Sequence, residues 1–279
     1  MLGRRMPERC VLVIWKLQFG RGRIALGKEP RASEIMARAN AGRYGTQMDE
    51  IENIVILTGA GISAESGLAT FRGPDGLWEG HHVEDVCTPE ALARNADLVH
   101  RFYDERRAKL RDVAPNPAHQ ALAALDAQWP GELLVVTQNV DDLHERAGTK
   151  RLIHMHGELR SAICAACGMA APWTDPLPPS VRCGRCGQSS LRPDIVFFGE
   201  MPYQMEAIDE ALRRADLFVS IGTSGAVYPA AGFVQTARHA GARTLELNLE
   251  PSAGSLYFEE SRIGPASRLV PELVRELLV

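Results

Sequence analysis

Asn53-Ile-Val-Ile-Leu-Thr-Gly-Ala-Gly-Ile-Ser-Ala-Glu-Ser-Gly-Leu-Ala-Thr-Phe-Arg72 begins with a short, β-branched apolar run, Ile54 to Leu57, cut off at once by Thr58 and Gly59. Such a run reads as a strand buried on both faces of a parallel sheet. Gly59, Ala60 and Gly61 turn the chain, and Ser63, Ala64 and Glu65 are expected to open a helix. A strand, a glycine turn and a helix N-terminus make a phosphate cradle. Without Cβ atoms, Gly59 and Gly61 let the backbone approach a pyrophosphate, and the first N–H groups of the helix favour negative charge. Gly59-x-Gly61-x-x-Ala64 fits a relaxed dinucleotide fingerprint, although a tight strand-to-helix turn needs glycine with or without a ligand. A dehydrogenase would add a second strand ending in Asp or Glu about 20 residues on. Arg72-Gly-Pro-Asp-Gly-Leu-Trp78 stands there instead and reads as no strand, which disfavours hydride transfer.

The longer string Gly-Ala-Gly-Ile-Ser-Ala-Glu-Ser-Gly over 59–67, with Thr70-Phe71-Arg72 and Gly76-Leu77-Trp78 after it, resembles the sirtuins, the NAD-dependent protein-lysine deacylases. The likeness runs from about Ile54 to the C-terminus. It implies an α/β fold, a Rossmann-like parallel sheet with a smaller domain made of a helical insertion and a zinc-binding module. On this reading 48–279 is the catalytic domain: the Rossmann-like part covers about 49–73, 115–158 and 192–279, the helical insertion about 74–114 and the zinc module about 159–191. The resemblance also implies NAD with its pyrophosphate on Gly59, Ala60, Gly61 and Ser63, and Phe71 and Arg72 over the cofactor.

Composition agrees with a soluble enzyme. At 279 residues, 45% hydrophobic and 24% charged, the chain can bury a full core, and it has no apolar run of the ~18 residues that span a bilayer. The charge is uneven, because residues 1–47 carry ten Lys/Arg against three Glu while the whole chain is at −4. That leader reads as a disordered arm or as sequence upstream of a start at Met48, and it lacks the cleavage site of a secretory signal. An acidic body gives no case for nucleic acid, and no membrane partner is expected. Of six cysteines, four lie in two close pairs, which is metal-site arithmetic suited to a reducing, cytoplasmic setting.

Four further clusters follow in order. In Phe102-Tyr-Asp-Glu-Arg-Arg107, Tyr103 and Arg106 share a helix face, which composition alone reads as a solvated face. The resemblance gives the pair another meaning, an acyl pocket for succinyl or malonyl groups, since Arg106 can fork onto a carboxylate and Tyr103 can donate to it. Leu133 to Val136 is a second buried strand, and Thr137-Gln-Asn-Val-Asp-Asp142 bunches polar residues at its carboxyl end, where open α/β sheets bind ligands. Asn139 and Asp141 could equally cap a following helix. The resemblance puts Gln138, Asn139 and Asp141 around nicotinamide and its ribose. Arg151 to Met155 is a third strand ending at His156-Gly157; a histidine there is a credible general base, and the resemblance selects His156 over His154 and His144.

Cys164-x2-Cys167 and Cys183-x2-Cys186, 15 residues apart, close a tetrahedral zinc site with no open position, so the metal is structural. Arg192 to Glu200 resembles the segment that pairs with substrate peptide, with Val196 and Phe198 as substrate contacts, and an apolar strand is its plainer reading. Gly222-Thr223-Ser224 repeats the glycine-hydroxyl turn after the strand 216–221, and 244–249 is read as the last strand. The resemblance assigns Asn248, Glu250 and Ala266 to the adenosine end. It implies removal of acetyl, and of succinyl or malonyl, groups from protein lysines, releasing nicotinamide and O-acyl-ADP-ribose. An ADP-ribosyltransferase or NAD hydrolase would share the pocket, and a non-enzymatic zinc-ribbon adaptor would need only the cysteines.

Overall fold

The computed structural model describes residues 51–70, 77–78 and 80–279. The leader 1–47, Phe71 and Arg72 lie outside the described residues. In chain order the strands are β1 Asn53–Thr58, β2 Leu77–Trp78, β3 His81–His82, β4 Glu132–Thr137, β5 Leu152–His154, β6 Gly157–Cys164, β7 Ala170–Pro172, β8 Leu191–Ile195, β9 Leu217–Ile221, β10 Arg243–Asn248 and β11 Glu260–Ile263. The helices are α1 Ala60–Ala64, α2 Val83–Val86, α3 Pro89–Arg94, α4 Ala96–Lys109, α5 Pro117–Gln128, α6 Leu143–Ala147, α7 Met205–Arg214, α8 Phe233–His239 and α9 Ala266–Leu277.

Six strands form one parallel sheet in the order β11-β10-β9-β1-β4-β5. Counted along the chain this is the doubly wound 3-2-1-4-5-6 order, whose direction reverses beside β1 and opens a ligand crevice at the carboxyl ends. Alternation along β1 shows why the run had to be apolar throughout. Ile54 and Ile56 enter one core with Leu122, Leu125, Leu269 and Leu273 from α5 and α9. Val55 and Leu57 enter the opposite core with Ile208, Leu212, Phe233 and Val234 from α7 and α8. Successive side chains leave a strand on opposite faces, so a sheet covered on both faces permits no polar alternation.

The smaller part is built on a second sheet, β7-β6-β8, which is antiparallel. The expected re-entry into the main sheet at 192 is corrected here: β8 pairs with β6, and the parallel sheet resumes only at Leu217. Leu77–Trp78, read as no strand, forms a two-residue pairing with β3 outside the parallel sheet. The helical insertion is set by its caps. Thr88 and Asn95 accept the backbone N–H groups of Ala91 and Leu98 at 3.0 and 3.1 Å, each such cap being worth about 1 kcal/mol. The insertion packs Val99, Phe102, Tyr103 and Leu110 onto Leu159 and Ile195 of the smaller sheet and onto Phe197 just after it. Edge strand β11 escaped the sequence reading because Glu260-Ser-Arg-Ile263 is polar and mostly exposed. No helix among the described residues is long and apolar enough to cross a membrane.

Candidate active site

The glycine turn after β1 locks into the turn after β9. Gly59 N–H donates to Ile221 O at 3.0 Å and Gly61 N–H to Gly222 O at 2.8 Å. A Cβ on Gly61 would stand 2.6 Å from Gly222 Cα, and one on Gly222, at φ +63°, 2.5 Å from Ile62 N. The glycines were expected to admit a pyrophosphate; what they demonstrably admit is one another's backbone. The helix also differs from expectation. It starts at Ala60 rather than at Ser63 and ends at Ala64, with Gly59 at its N-cap and no side-chain cap.

Ser63 therefore lies inside α1, buried, and its hydroxyl donates to Asp141 Oδ2 at 2.9 Å. The Asn139 amide donates to Gly59 O and to Ser63 Oγ, both at 3.1 Å. One polar knot thus ties the end of β1, helix α1 and the loop after β4. Burial pushes the Asp141 carboxyl above its ordinary pKa, against the pull of the Leu143 N–H and the Ser63 hydroxyl. The capping alternative is half right: Asp141 Oδ1 accepts from Leu143 N at the start of α6, while Oδ2 faces Ser63.

His154 is the last residue of β5 and His156 lies beyond it, so the two do not share one strand as a strand running up to His156 would have it. Each instead reaches back to a different carbonyl of the β4 loop. His154 Nδ1 meets Asn139 O at 3.1 Å and its Nε2 meets Glu145 Oε1 at 2.8 Å. Burial lowers the pKa of His154, but the hydrogen bond and charge of Glu145 outweigh it, and the net direction is up. His156 is different. Its Nδ1 donates to Gln138 O at 3.2 Å, which fixes the tautomer and leaves the Nε2 lone pair available. Burial holds its pKa below the usual 6.5, only partly offset by that carbonyl, so the imidazole is neutral at pH 7. A neutral imidazole with one anchored N–H is equipped to take a proton. His156 O also accepts from Val196 N at 2.9 Å, and Phe198 N donates to Cys87 O at 2.9 Å, so the segment carrying Val196 and Phe198 is joined to His156 and to the helical insertion.

Tyr103 and Arg106 lie one turn apart on the buried face of α4, correcting the solvated-face reading. Tyr103 stacks on Phe197 with centroids 6.0 Å apart; the Arg106 guanidinium lies 3.1 Å from the centroid of the Phe102 ring, and its Nη1 donates to Phe102 O at 2.5 Å. Burial raises the Tyr103 hydroxyl pKa, keeping it a donor.

At the far side of the crevice, Asn248 Nδ2 donates to Thr223 O at 2.9 Å, joining the Gly222-Thr223-Ser224 turn to the end of β10. Glu250 is exposed, and Ala266 sits in the core at the start of α9, whose Ser267 N donates to Glu65 Oε1 at 2.9 Å. Phe71 and Arg72 fall outside the described residues. Sequence reasoning set His144 aside as structural and gave His119 no role: both are fully buried beneath the knot, 5.0 Å between ring centroids, and burial drives His119 to about 4 and His144 to about 3. His144 Nε2 pairs with Thr58 Oγ1 at 3.0 Å, and His119 Nδ1 accepts from Asn116 N in a capping box for α5. The Asn116-Pro-Ala-His119 spacing was the available signal.

The four cysteines of the smaller part meet with all sulfurs within 4.8 Å of one another, Cys164 to Cys186 at 3.7 Å and Cys167 to Cys183 at 3.8 Å. A tetrahedron with metal–sulfur bonds of about 2.3 Å has edges of about 3.8 Å. The donor set fits zinc, closed by four thiolates, and Arg185 N donates to Cys183 Sγ at 3.4 Å from a second layer.

The Sir2 family model matches residues 59–229. An NAD-dependent protein deacylase of Bdellovibrio bacteriovorus is 57% identical over 230 residues, covering 81% of this chain and 97% of the relative. One from Vibrio parahaemolyticus is 56% identical over 229 residues, covering 81% and 95%. Among solved structures, a Sir2 homolog–NAD complex superposes with a TM-score of 0.76 at 38% identity over 82% of this chain and 91% of that one. A Sir2–p53 peptide–NAD complex does so with 0.70 at 28% identity, over 82% and 95%.

Proposed function

The chain belongs to the Sir2 family, and from that premise we propose how its residues divide the work of an NAD-dependent protein-lysine deacylase, with His156 as base and Tyr103 and Arg106 selecting acidic acyl groups. The activity is that of its relatives: acyl groups on protein lysines are removed, NAD is a co-substrate, and zinc is structural. When bound, NAD supplies the ribose carbon that receives the acyl oxygen and the nicotinamide that leaves. Gly59, Ala60, Gly61 and Ser63 would hold the pyrophosphate, Asn139 and Asp141 the nicotinamide half, and Gly222, Thr223, Ser224 and Asn248 the adenosine half. His156 Nε2 takes a proton from a ribose hydroxyl, and its anchored Nδ1–H carries the resulting charge toward the Gln138 carbonyl. Val196 and Phe198 line the peptide beside it. Cys87 is a free thiol, and Cys164, Cys167, Cys183 and Cys186 are grouped for a metal rather than paired in disulfides, which suits a reducing compartment, and we read the enzyme as cytoplasmic.

The observation that carries the acyl preference is a buried guanidinium one turn from a buried phenol, inside an apolar wall of Phe102 and Phe197. Such a site favours a carboxylate at the acyl tip, because a guanidinium makes charge-assisted hydrogen bonds to a carboxylate that a neutral tip cannot offer. The test follows nicotinamide release and peptide acylation together, on acetyl-lysine and succinyl-lysine peptides. Arg106→Met is expected to lower kcat/KM on the succinyl peptide by about tenfold to a hundredfold and to leave the acetyl peptide within a few-fold. Equal losses on both peptides would remove the acidic specialisation. Nicotinamide release without deacylation would point to ADP-ribosyl transfer or NAD hydrolysis.

A further inference from the structure

Glu246 is the one fully buried carboxylate among the described residues, on β10 between Leu245 and Leu247, with 0% of its surface exposed. Its partners are not cations. Asn248 Nδ2 donates to Oε1 at 3.1 Å, and the hydroxyls of Ser255 and Ser261 donate to Oε2 at 2.5 and 3.0 Å. The serines belong to the segment that leaves the carboxyl end of β10 and returns as β11. That segment is tied to the other adenosine-side turn, because Ala253 N donates to Ser224 O at 3.0 Å and a Cβ on Gly225 would stand 2.8 Å from Gly254 N. The Asn248 amide faces two oxygens, Thr223 O and Glu246 Oε1, so its nitrogen must point at them. Its oxygen is thereby turned the other way, as an acceptor.

We propose that Glu246 is the positioning residue of the adenosine end: it holds Asn248 with the amide oxygen presented to a cofactor hydroxyl or amine donor, and it anchors the 252–261 segment against the Gly222–Ser224 turn. The inference rests on the reading of Asn248 as a cofactor contact. A carboxylate does this better than an amide, since it accepts from all three groups and offers no donor to compete. Glu246→Gln introduces an N–H that must face either the asparagine or a serine, and the Asn248 amide is free to turn over.

The test is ADP-ribose binding by calorimetry alongside deacylation kinetics, on the full chain loaded with zinc. Glu246→Gln is expected to weaken ADP-ribose about tenfold and to raise KM for NAD equally, with kcat at saturating NAD and KM for the peptide within twofold. Asn248→Ala should weaken ADP-ribose to a similar degree, and the double variant should be little worse than either single one. Ser255→Ala with Ser261→Ala keeps the carboxylate, removes two donors and should weaken ADP-ribose about threefold, which keeps the idea testable if Glu246→Gln folds poorly. A loss with Asn248→Ala and none with Glu246→Gln or the serine variant overturns the positioning role. ADP-ribose binding indifferent to Asn248→Ala overturns the underlying reading of the adenosine end instead. A uniform fall in kcat and every affinity, in step with a lower melting temperature, would make Glu246 structural only and also overturns it.

Discussion

At His156 one backbone carbonyl sets the tautomer that the proposed base requires. Gln138 O holds the Nδ1 proton, so the lone pair is on Nε2, and burial keeps the ring pKa below 6.5. The sign follows directly: a base must be unprotonated, so activity is full above its folded-state pKa and falls as pH drops through it. The acid limb of kcat/KM is therefore expected below pH 6.5 rather than at or above it. His156→Asn should lower turnover by at least a hundredfold, the usual worth of a positioned base, while ADP-ribose binding changes little. An acid limb above 6.5, or turnover surviving the substitution, would move the base to another residue. His154, two positions away, is anchored at both nitrogens by Asn139 O and Glu145, which leaves it no lone pair to offer.

At the scale of elements, the interlocked turns carry the site. Gly61 and Gly222 approach so closely that a methyl group on either would meet backbone, which cannot yield as a side-chain tip can. Gly222→Ala adds the cost of a left-handed φ, about 1–2 kcal/mol, and should both lower the melting temperature by several degrees and abolish measurable ADP-ribose binding. A Gly222→Ala protein that binds ADP-ribose normally would show that the two turns can part without consequence. These elements were unequally legible. β1, β4 and β9 announce themselves by short, largely apolar runs, and the cysteine pairs by spacing, because both signals are local. The start of α1 was misread because no side chain caps it, and β8 was given to the wrong sheet because an apolar strand does not declare its partner. Glu246 was invisible for the same reason: its partners are nine and fifteen residues away, in a segment read as having no strand.

At the scale of the whole molecule, the two halves of the crevice are supported by different forces. The side proposed for adenosine stands on the parallel sheet, whose two faces are covered by large aliphatic cores from α5 and α9 and from α7 and α8. The smaller part has a thin core of its own, Ala162, Cys164, Leu177, Cys183 and Leu191, in which two of five members are metal-binding cysteines. That is too little apolar surface to offset the entropy of ordering the zinc module, so the metal must hold it. Yet β6 and β8 run from that module to Gly157 and Ile195, next to His156 and Val196, the proposed acyl-lysine site. Zinc removal should therefore disable the enzyme from one side. Stripping the metal with a thiol-compatible chelator is expected to abolish deacylation, to retain most of the far-UV helical signal, and to leave the ADP-ribose dissociation constant within about fivefold. Restoring one zinc per chain should restore turnover. If ADP-ribose affinity instead disappears together with activity, the sheet and the zinc module fold as one cooperative unit, and the division of support argued from their separate cores is wrong.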